Sequence, residues 1–503
     1  MFLDLRVGRL CDPLAGRVWD RETIHRELAR RLELYRNQGL GPGDRVFLHY
    51  GNTLEFFVDL LAVWKLGGCA IPIDSRLTMF EVQTLAEAAR PRFSLWHDAY
   101  DGAMGAALSD RGVTQIGSDE LPREGDNRSC ADLVHLDAPA LILFTSGTTG
   151  QPKGVVHTHR SLRARWLALQ QSLGIEKFRR TLCLLPTHFG HGLICNCLFP
   201  WFGGGDLYIC PPFRPDLVMQ LGSLLDEHEI TFMSSVPSVW RLALKVSKPP
   251  TRRSLERVFC GSAPLSAFLW RQVQKWTGTP EVFNAYGITE TGSWVAGTTV
   301  TDFVPADGLI GNPWGAVIRI LPVSQPGAPL STIEPCAPDE PGYVWINTPA
   351  LMAGYFERED LTREVVHEGW FMTGDIGVLN AHGHLYLRGR EREEINKGGM
   401  KVYPGDVDTV IERFQKVADV CTFAVDDPLY GQDVGVAVVL QDADPTTRGA
   451  LYDWATQHLA KHQTPVRWYF IDDIPRTASG KINRDNVALV CAELSAWDPQ
   501  RPS

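Results

Sequence analysis

The sequence has no C-x-x-C pair, no excess of basic residues and no uninterrupted apolar run long enough to cross a bilayer. Its 11 cysteines are scattered, with Cys195 and Cys197 the nearest pair, so neither a zinc ribbon nor a disulfide framework is expected. Buried, reduced thiols are expected instead, as in a cytoplasmic protein. The most apolar stretches, around 54–66 and 193–202, are too short or are broken by Asp59 and Lys65, which excludes a membrane span. The opening MFLDLRVGRL lacks an apolar core behind a basic start, so no signal peptide is expected. With 49 Lys+Arg against 59 Asp+Glu the formal charge is −10, the wrong sign for nucleic acid as main partner. A local basic patch for a phosphorylated ligand stays open. No period of 20–50 residues recurs, which excludes repeat architectures.

What is present is ordinary globular composition, 44% hydrophobic and 21% charged over 503 residues. Such a length holds about three units at ~150 residues each. Between 53 and 68, Leu54, Phe57, Val58, Leu61 and Trp64 recur at helical spacing, and Gly67-Gly68 stops the helix. Short apolar strands flank it at 45–49 and 69–73, and further strands are expected at 140–144, 182–185, 231–235 and 257–260. Alternation of this kind predicts parallel sheets with helices on both faces. From about 322 to 387, Pro- and Gly-broken strands at 343–347 and 385–387 suggest a smaller β-rich unit. The charge run 388–394 then reads as a solvated face or a hinge before a final strand–helix segment.

The strongest chemical feature is 145-TSGTTGQPKG-154, behind the strand at 140–144. Glycines let backbone N–H groups turn toward an anion, hydroxyls donate further bonds and Lys153 adds charge. Gly-Lys-Ser/Thr in succession is absent, so this is not a Walker loop. The string resembles the phosphate loop of the adenylate-forming superfamily, which contains acyl- and aryl-CoA synthetases, nonribosomal adenylation domains and luciferases. Further segments resemble that superfamily in order. In 260-CGSAPLS-266, Gly261, Ser262, Ala263 and Pro264 match the turn bordering adenine and the acyl pocket. In 284-NAYGITETG-292, resemblance places Asn284, Ala285, Tyr286 and Gly287 at the nucleotide, with Tyr286 stacking on adenine, Thr289 on the α-phosphate and Glu290 holding Mg²⁺. Asp375 of 373-TGD-375 would accept the ribose hydroxyls, Arg390 would contact ribose and phosphate, and Arg392 holds the hinge position where relatives often carry Asp or Lys. In 395-INKGGMKVYPGDVD-408, Gly398, Gly399 and Lys401 match the thiol-transfer loop, although Asp406 and Asp408 stand where relatives usually carry Glu. Finally, 475-PRTASGKINR-484 makes Lys481 the adenylation lysine.

The resemblance thus implies an α/β fold: a large N-terminal domain of parallel sheets with flanking helices and a small β-rich unit over 1–389, a hinge at 390–392, and a small, mobile α+β lid domain over 393–503. Thr145, Ser146, Gly147, Thr148, Thr149 and Lys153 would hold the phosphates of ATP. Activity would be attack of a carboxylate on the α-phosphorus, release of pyrophosphate, then transfer of the acyl group to a thiol.

Amino-acid-activating relatives carry an Asp that 186-PTHFGHGL-193 lacks, and an unpaired buried ammonium is costly, so an α-amino acid is disfavoured. An aliphatic or aryl acid is expected. Phe189 would gate the pocket, although His188 and His191 could instead form a metal pair; Ser234, Ser235 and Gly261 would leave room and Trp240 limit depth. Coenzyme A is the expected acceptor, since the chain ends about twenty residues beyond Lys481 without a fused carrier. Loading of an acyl carrier protein is the alternative. A luciferase-type oxidation has no support in the residues, and a nucleotide sensor without activity would be expected to lack Glu290 or Lys481.

Overall fold

A computed structural model of the chain describes residues 7–96, 102–123, 125, 134–145, 152–212, 214–299, 303–323, 327–442, 444–477 and 481–497. Within them the expected helix forms over Leu54–Lys65, capped by the Thr53 hydroxyl, which accepts from Phe56 N–H at 3.2 Å. Every residue from Leu54 to Trp64 is buried, because the helix lies between two sheets, against Cys69–Pro72 of one and Leu10–Asp12 of the other. Its two buried acids are each paired, Asp59 with Arg31 of the helix Arg21–Asn37, Nε to Oδ1 2.5 Å, and Glu55 with Arg17 at 2.7 Å.

Among the described residues the first sheet has seven strands, with Cys69–Pro72 at its centre and Arg45–Leu48 between it and Phe93–Trp96. Pro139–Thr145 runs parallel to Cys69–Pro72, and Lys153–Thr158 returns antiparallel from the loop between them. The second sheet has fourteen strands. Its parallel half contains Leu10–Asp12, Asp206–Ile209, Arg180–Cys183, Phe232–Ser235, Arg257–Gly261 and Val282–Ile288. The β-rich segment expected after residue 322 is not detached from this sheet: Leu309–Pro313 pairs with Ser293–Gly297 on one side and Leu385–Arg390 on the other. Carboxyl ends of the parallel strands face one crevice, the usual ligand position in open α/β sheets.

The charge run is divided. Arg388, Gly389 and Arg390 complete the strand Leu385–Arg390, and only Glu391–Glu393 forms a separate single turn. Beyond it a five-stranded sheet, with the helices Pro404–Glu412, Pro445–His458 and Arg484–Ala492, closes its own apolar core around Val407, Val436 and Trp468. Two ion pairs tie this unit to the larger one, Arg241–Glu412 at 2.7 Å and Arg413–Asp307. All ten described cysteines are free, and nine of them are buried. No helix among the described residues is long and apolar enough to cross a membrane.

Candidate active site

The strand Val282–Ile288 delivers Tyr286 and then turns through Thr289–Thr291 to Gly292, whose φ of +73° suits glycine. Tyr286 is buried and its hydroxyl donates to Asp375. Burial and that carboxylate push the phenol well above its ordinary pKa, so it is a donor at neutral pH. Asp375 and Arg390 lie opposite each other in an antiparallel ladder, with Nε 3.1 Å from Oδ1. Asp375 in turn raises the Arg390 pKa.

Glu290 is oriented by Tyr355, whose hydroxyl donates to Oε1 at 2.8 Å, and the Glu290 carbonyl accepts from Met352 N–H at 2.8 Å. Lys153 lies 5.7 Å from the ring centre of Tyr355, the residue that also bonds Glu290. His157 Nε2–H donates to the Thr289 carbonyl at 2.8 Å, fixing the turn from below. Among the described residues no group of three or more His, Cys, Asp or Glu could hold a metal alone. Glu290, bonded through Oε1 to Tyr355, is a hard oxygen donor of the kind Mg²⁺ takes together with other oxygen ligands.

His191 opens a π-helical segment, His191–Leu198, and is buried between two hydroxyls, Nδ1 2.8 Å from Ser262 Oγ and Nε2 2.6 Å from Ser234 Oγ. Burial, with Lys481 nearby, lowers its pKa to about 3, so the imidazole is neutral. Ser234 therefore does not simply leave space; it anchors this ring. His188 lies 3.5 Å from Asp74, so the two histidines have separate partners and form no metal pair. Ser262 is held at φ +66°, and at Gly261 a Cβ would stand 2.3 Å from the Ala285 carbonyl. Trp240 is fully buried, its ring centre 5.8 Å from that of Trp276.

Lys481 comes from the other unit. Thr477 N–H donates to the Lys481 carbonyl at 2.8 Å, and the Arg476–Asp419 ion pair, 2.5 Å, anchors the residue before Thr477. Its ammonium lies 5.0 Å from the Phe189 ring centre. Desolvation, then Arg390, lowers its pKa to about 8 against the pull of Asp375 and Glu290. Lys481 thus reaches the segments that carry Phe189, Glu290, Asp375 and Arg390.

Other expected residues are elsewhere. Ser146, Gly147, Thr148 and Thr149, with the Thr145 side chain, lie outside the described residues. Asn284 commits its amide to the Leu309 carbonyl at 2.8 Å, and Ala263 and Pro264 line the turn after Ser262. Gly398, Gly399 and Lys401 are exposed; Lys401 pairs with Glu394 at 3.3 Å, and Gly398 N–H donates to the Tyr430 carbonyl at 3.1 Å. Arg392 is exposed in its turn. Sequence reasoning missed His157 and Tyr355, which carry no motif of their own, and left His191 ambiguous; the only signal was its place two residues after Phe189.

A family model described as AMP-binding enzyme matches residues 23–356, and one described as AMP-binding enzyme C-terminal domain matches 406–481. A sulfoacetate–CoA ligase of Cupriavidus necator is 29% identical over 464 residues, covering 90% of this chain and 88% of its own. An oxalate–CoA ligase of Arabidopsis thaliana is 28% identical over 471 residues, covering 90% of both. The crystal structure of ATP-bound MatB from Rhodopseudomonas palustris superposes with a TM-score of 0.84 at 23% identity, covering 97% of both chains, and so shares the fold.

Proposed function

The chain belongs to the AMP-binding enzyme family, and from that premise we propose that it joins a carboxylic acid to coenzyme A through an acyl-adenylate. It is an AMP-forming acid–thiol ligase. A carboxylate oxygen attacks the α-phosphorus of ATP, the bond to pyrophosphate breaks, and the acyl carbon gains AMP as a leaving group. The CoA sulfur then attacks that carbon, the acyl–oxygen bond breaks, and AMP departs. The observation that carries this reading is the convergence of Lys481 from one unit with Asp375, Arg390 and Glu290 from the other.

The roles proposed for the residues are these. Asp375, with Arg390 beside it, accepts the ribose hydroxyls, and Tyr286 borders adenine. Thr289 donates to the α-phosphate and Lys481 offsets the charge that builds on its non-bridging oxygens. Lys153, with Thr145, Ser146, Gly147, Thr148 and Thr149, would hold the β- and γ-phosphates. Glu290, steadied by Tyr355, would hold Mg²⁺, which when bound neutralises phosphate charge. Phe189, Ser234 and Gly261 border the acid, and the neutral His191, both ring nitrogens bonded to Ser262 and Ser234, holds that wall without adding charge. Residues 1–389 form one domain and 393–503 the other, joined at 390–392, where Arg392 sits. With Lys481 inside and Gly398–Lys401 outside, the arrangement suits acid activation; rotation at the hinge would exchange them for thiol transfer. CoA is favoured over a carrier protein because the relatives above are CoA ligases.

The test is acid-dependent ATP–pyrophosphate exchange over aliphatic, aryl and amino acids, each repeated as thioester formation with CoA. Exchange with a non-amino acid and a CoA thioester is expected. Exchange without thioester would move the acceptor to a carrier protein, and no exchange with any acid would overturn the reading.

A further inference from the structure

The Lys481 ammonium is enclosed, yet among the described residues no carboxylate stands within ion-pair distance of it. The two nearest acids are already held, Asp375 by Tyr286 and Arg390, and Glu290 by Tyr355. What the ammonium does meet is the ring of Phe189 at 5.0 Å, within the range of a cation over an aromatic face.

That ring is held on the opposite domain. Phe189 N–H donates to the Pro186 carbonyl at 3.3 Å, its own carbonyl accepts from Leu193 N–H at 2.9 Å, and its ring centre is 6.5 Å from His191. His191 is itself fixed by Ser234 and Ser262, so the chain of support reaches back to strand ends of the large sheet. A carboxylate in place of the ring would hold the lysine equally well but would cancel its charge and repel both the acid and the phosphates. An aromatic face attracts the cation and leaves all three N–H donors for oxygen ligands.

We propose that Phe189 is a positioning residue for acid activation: its ring face holds the Lys481 ammonium in the crevice until substrate oxygens take it over. This rests on the reading of Lys481 given above. It also gives the residue a duty beyond bordering the acid, since loss of the ring would move the lysine and not only the pocket wall.

The experiment compares Phe189→Leu, Phe189→Tyr and Lys481→Ala in the full-length chain, by acid-dependent pyrophosphate exchange as a function of pH. A cation–ring contact at a desolvated site corresponds to a roughly tenfold effect. The Leu variant is expected to lose about that much kcat and the Tyr variant to recover most of it. Because the ring favours the charged ammonium, the basic limb of the Leu profile moves to lower pH. A loss confined to the KM for the acid, with the basic limb unmoved, would overturn the proposal, as would equal behaviour of Leu and Tyr. Undiminished exchange in Lys481→Ala would instead overturn the reading of the lysine.

Discussion

Arg390 faces Asp375 across the antiparallel pair of Trp370–Leu379 and Leu385–Arg390, with Nε 3.1 Å from Oδ1. The two residues are fifteen positions apart because one tight turn separates the strands, and their ladder register makes them partners. The carboxylate, only 4% exposed, is thereby aimed while Tyr286 closes its other side. A donor-rich ligand such as a ribose diol can displace or join these bonds without reorganising the sheet.

Replacing Asp375 with Asn removes the charge that pairs Arg390 and the acceptor proposed for the ribose. Charge-assisted hydrogen bonds contribute about 1.5–3 kcal/mol, so ATP binding is expected to weaken by roughly 10- to 150-fold. Calorimetric titration with a non-hydrolysable ATP analogue measures it; an unchanged affinity would remove Asp375 from the nucleotide site.

Lys481→Ala is expected to lower acid-dependent exchange by on the order of 10²–10³ while ATP binding persists. The pH dependence carries the sign. With its pKa at about 8, the lysine is protonated below that value and loses its charge above it, so activation falls as pH rises through 8. Lys481→Arg, which stays charged, is expected to remove this limb from the profile. A parent enzyme whose exchange stays flat well above pH 8 would contradict the role.

Three buried histidines set an acid limit on stability. His191 sits at about 3, and His157 and His159 at about 4, against 6.5 for an exposed imidazole. The unfolded chain takes up protons below 6.5 that the folded chain refuses, so stability falls as pH drops from 6.5 toward 4. Thermal melts across that window should show a steady decline in Tm; a constant Tm would show that these rings are hydrated.

Glu412→Gln leaves Arg241, 22% exposed at the domain contact, without its counter-charge. The cost of such an unpaired group is about 1–3 kcal/mol, drawn from domain docking and not from either core. Faster proteolysis at 390–392 is expected in the variant without ligand. Equal cleavage rates would mean that the ion pair contributes nothing to docking.

Gly261→Ala forces a methyl group to 2.3 Å from the Ala285 carbonyl, a backbone atom that cannot swing aside. Adjacent parallel strands must separate, and Ser262, held at φ +66° and bonded to His191, moves with them. A stability loss of about 1–3 kcal/mol is expected, together with loss of exchange. Wild-type stability in denaturant titration would sink this account.

The sequence by itself determined the local pieces. The helix Leu54–Lys65 follows from apolar spacing and the Gly67-Gly68 stop, and the strands follow from short apolar runs. The motifs were legible because each is a turn whose glycines, hydroxyls and charges are fixed by neighbours along the chain. One boundary was misread in part: Arg388 and Arg390 are charged yet belong to a strand, since ladder hydrogen bonds depend on the backbone and not on side-chain polarity. What only the tertiary structure decided is which pieces meet. Lys481 finds Phe189, Glu290 finds Tyr355, and His191 finds two serines, because parallel strands bring their carboxyl ends to one crevice and a second domain closes over it. Spacing along a chain fixes periodicity and turn chemistry; contact between distant segments depends on strand order and domain docking, which no local pattern encodes.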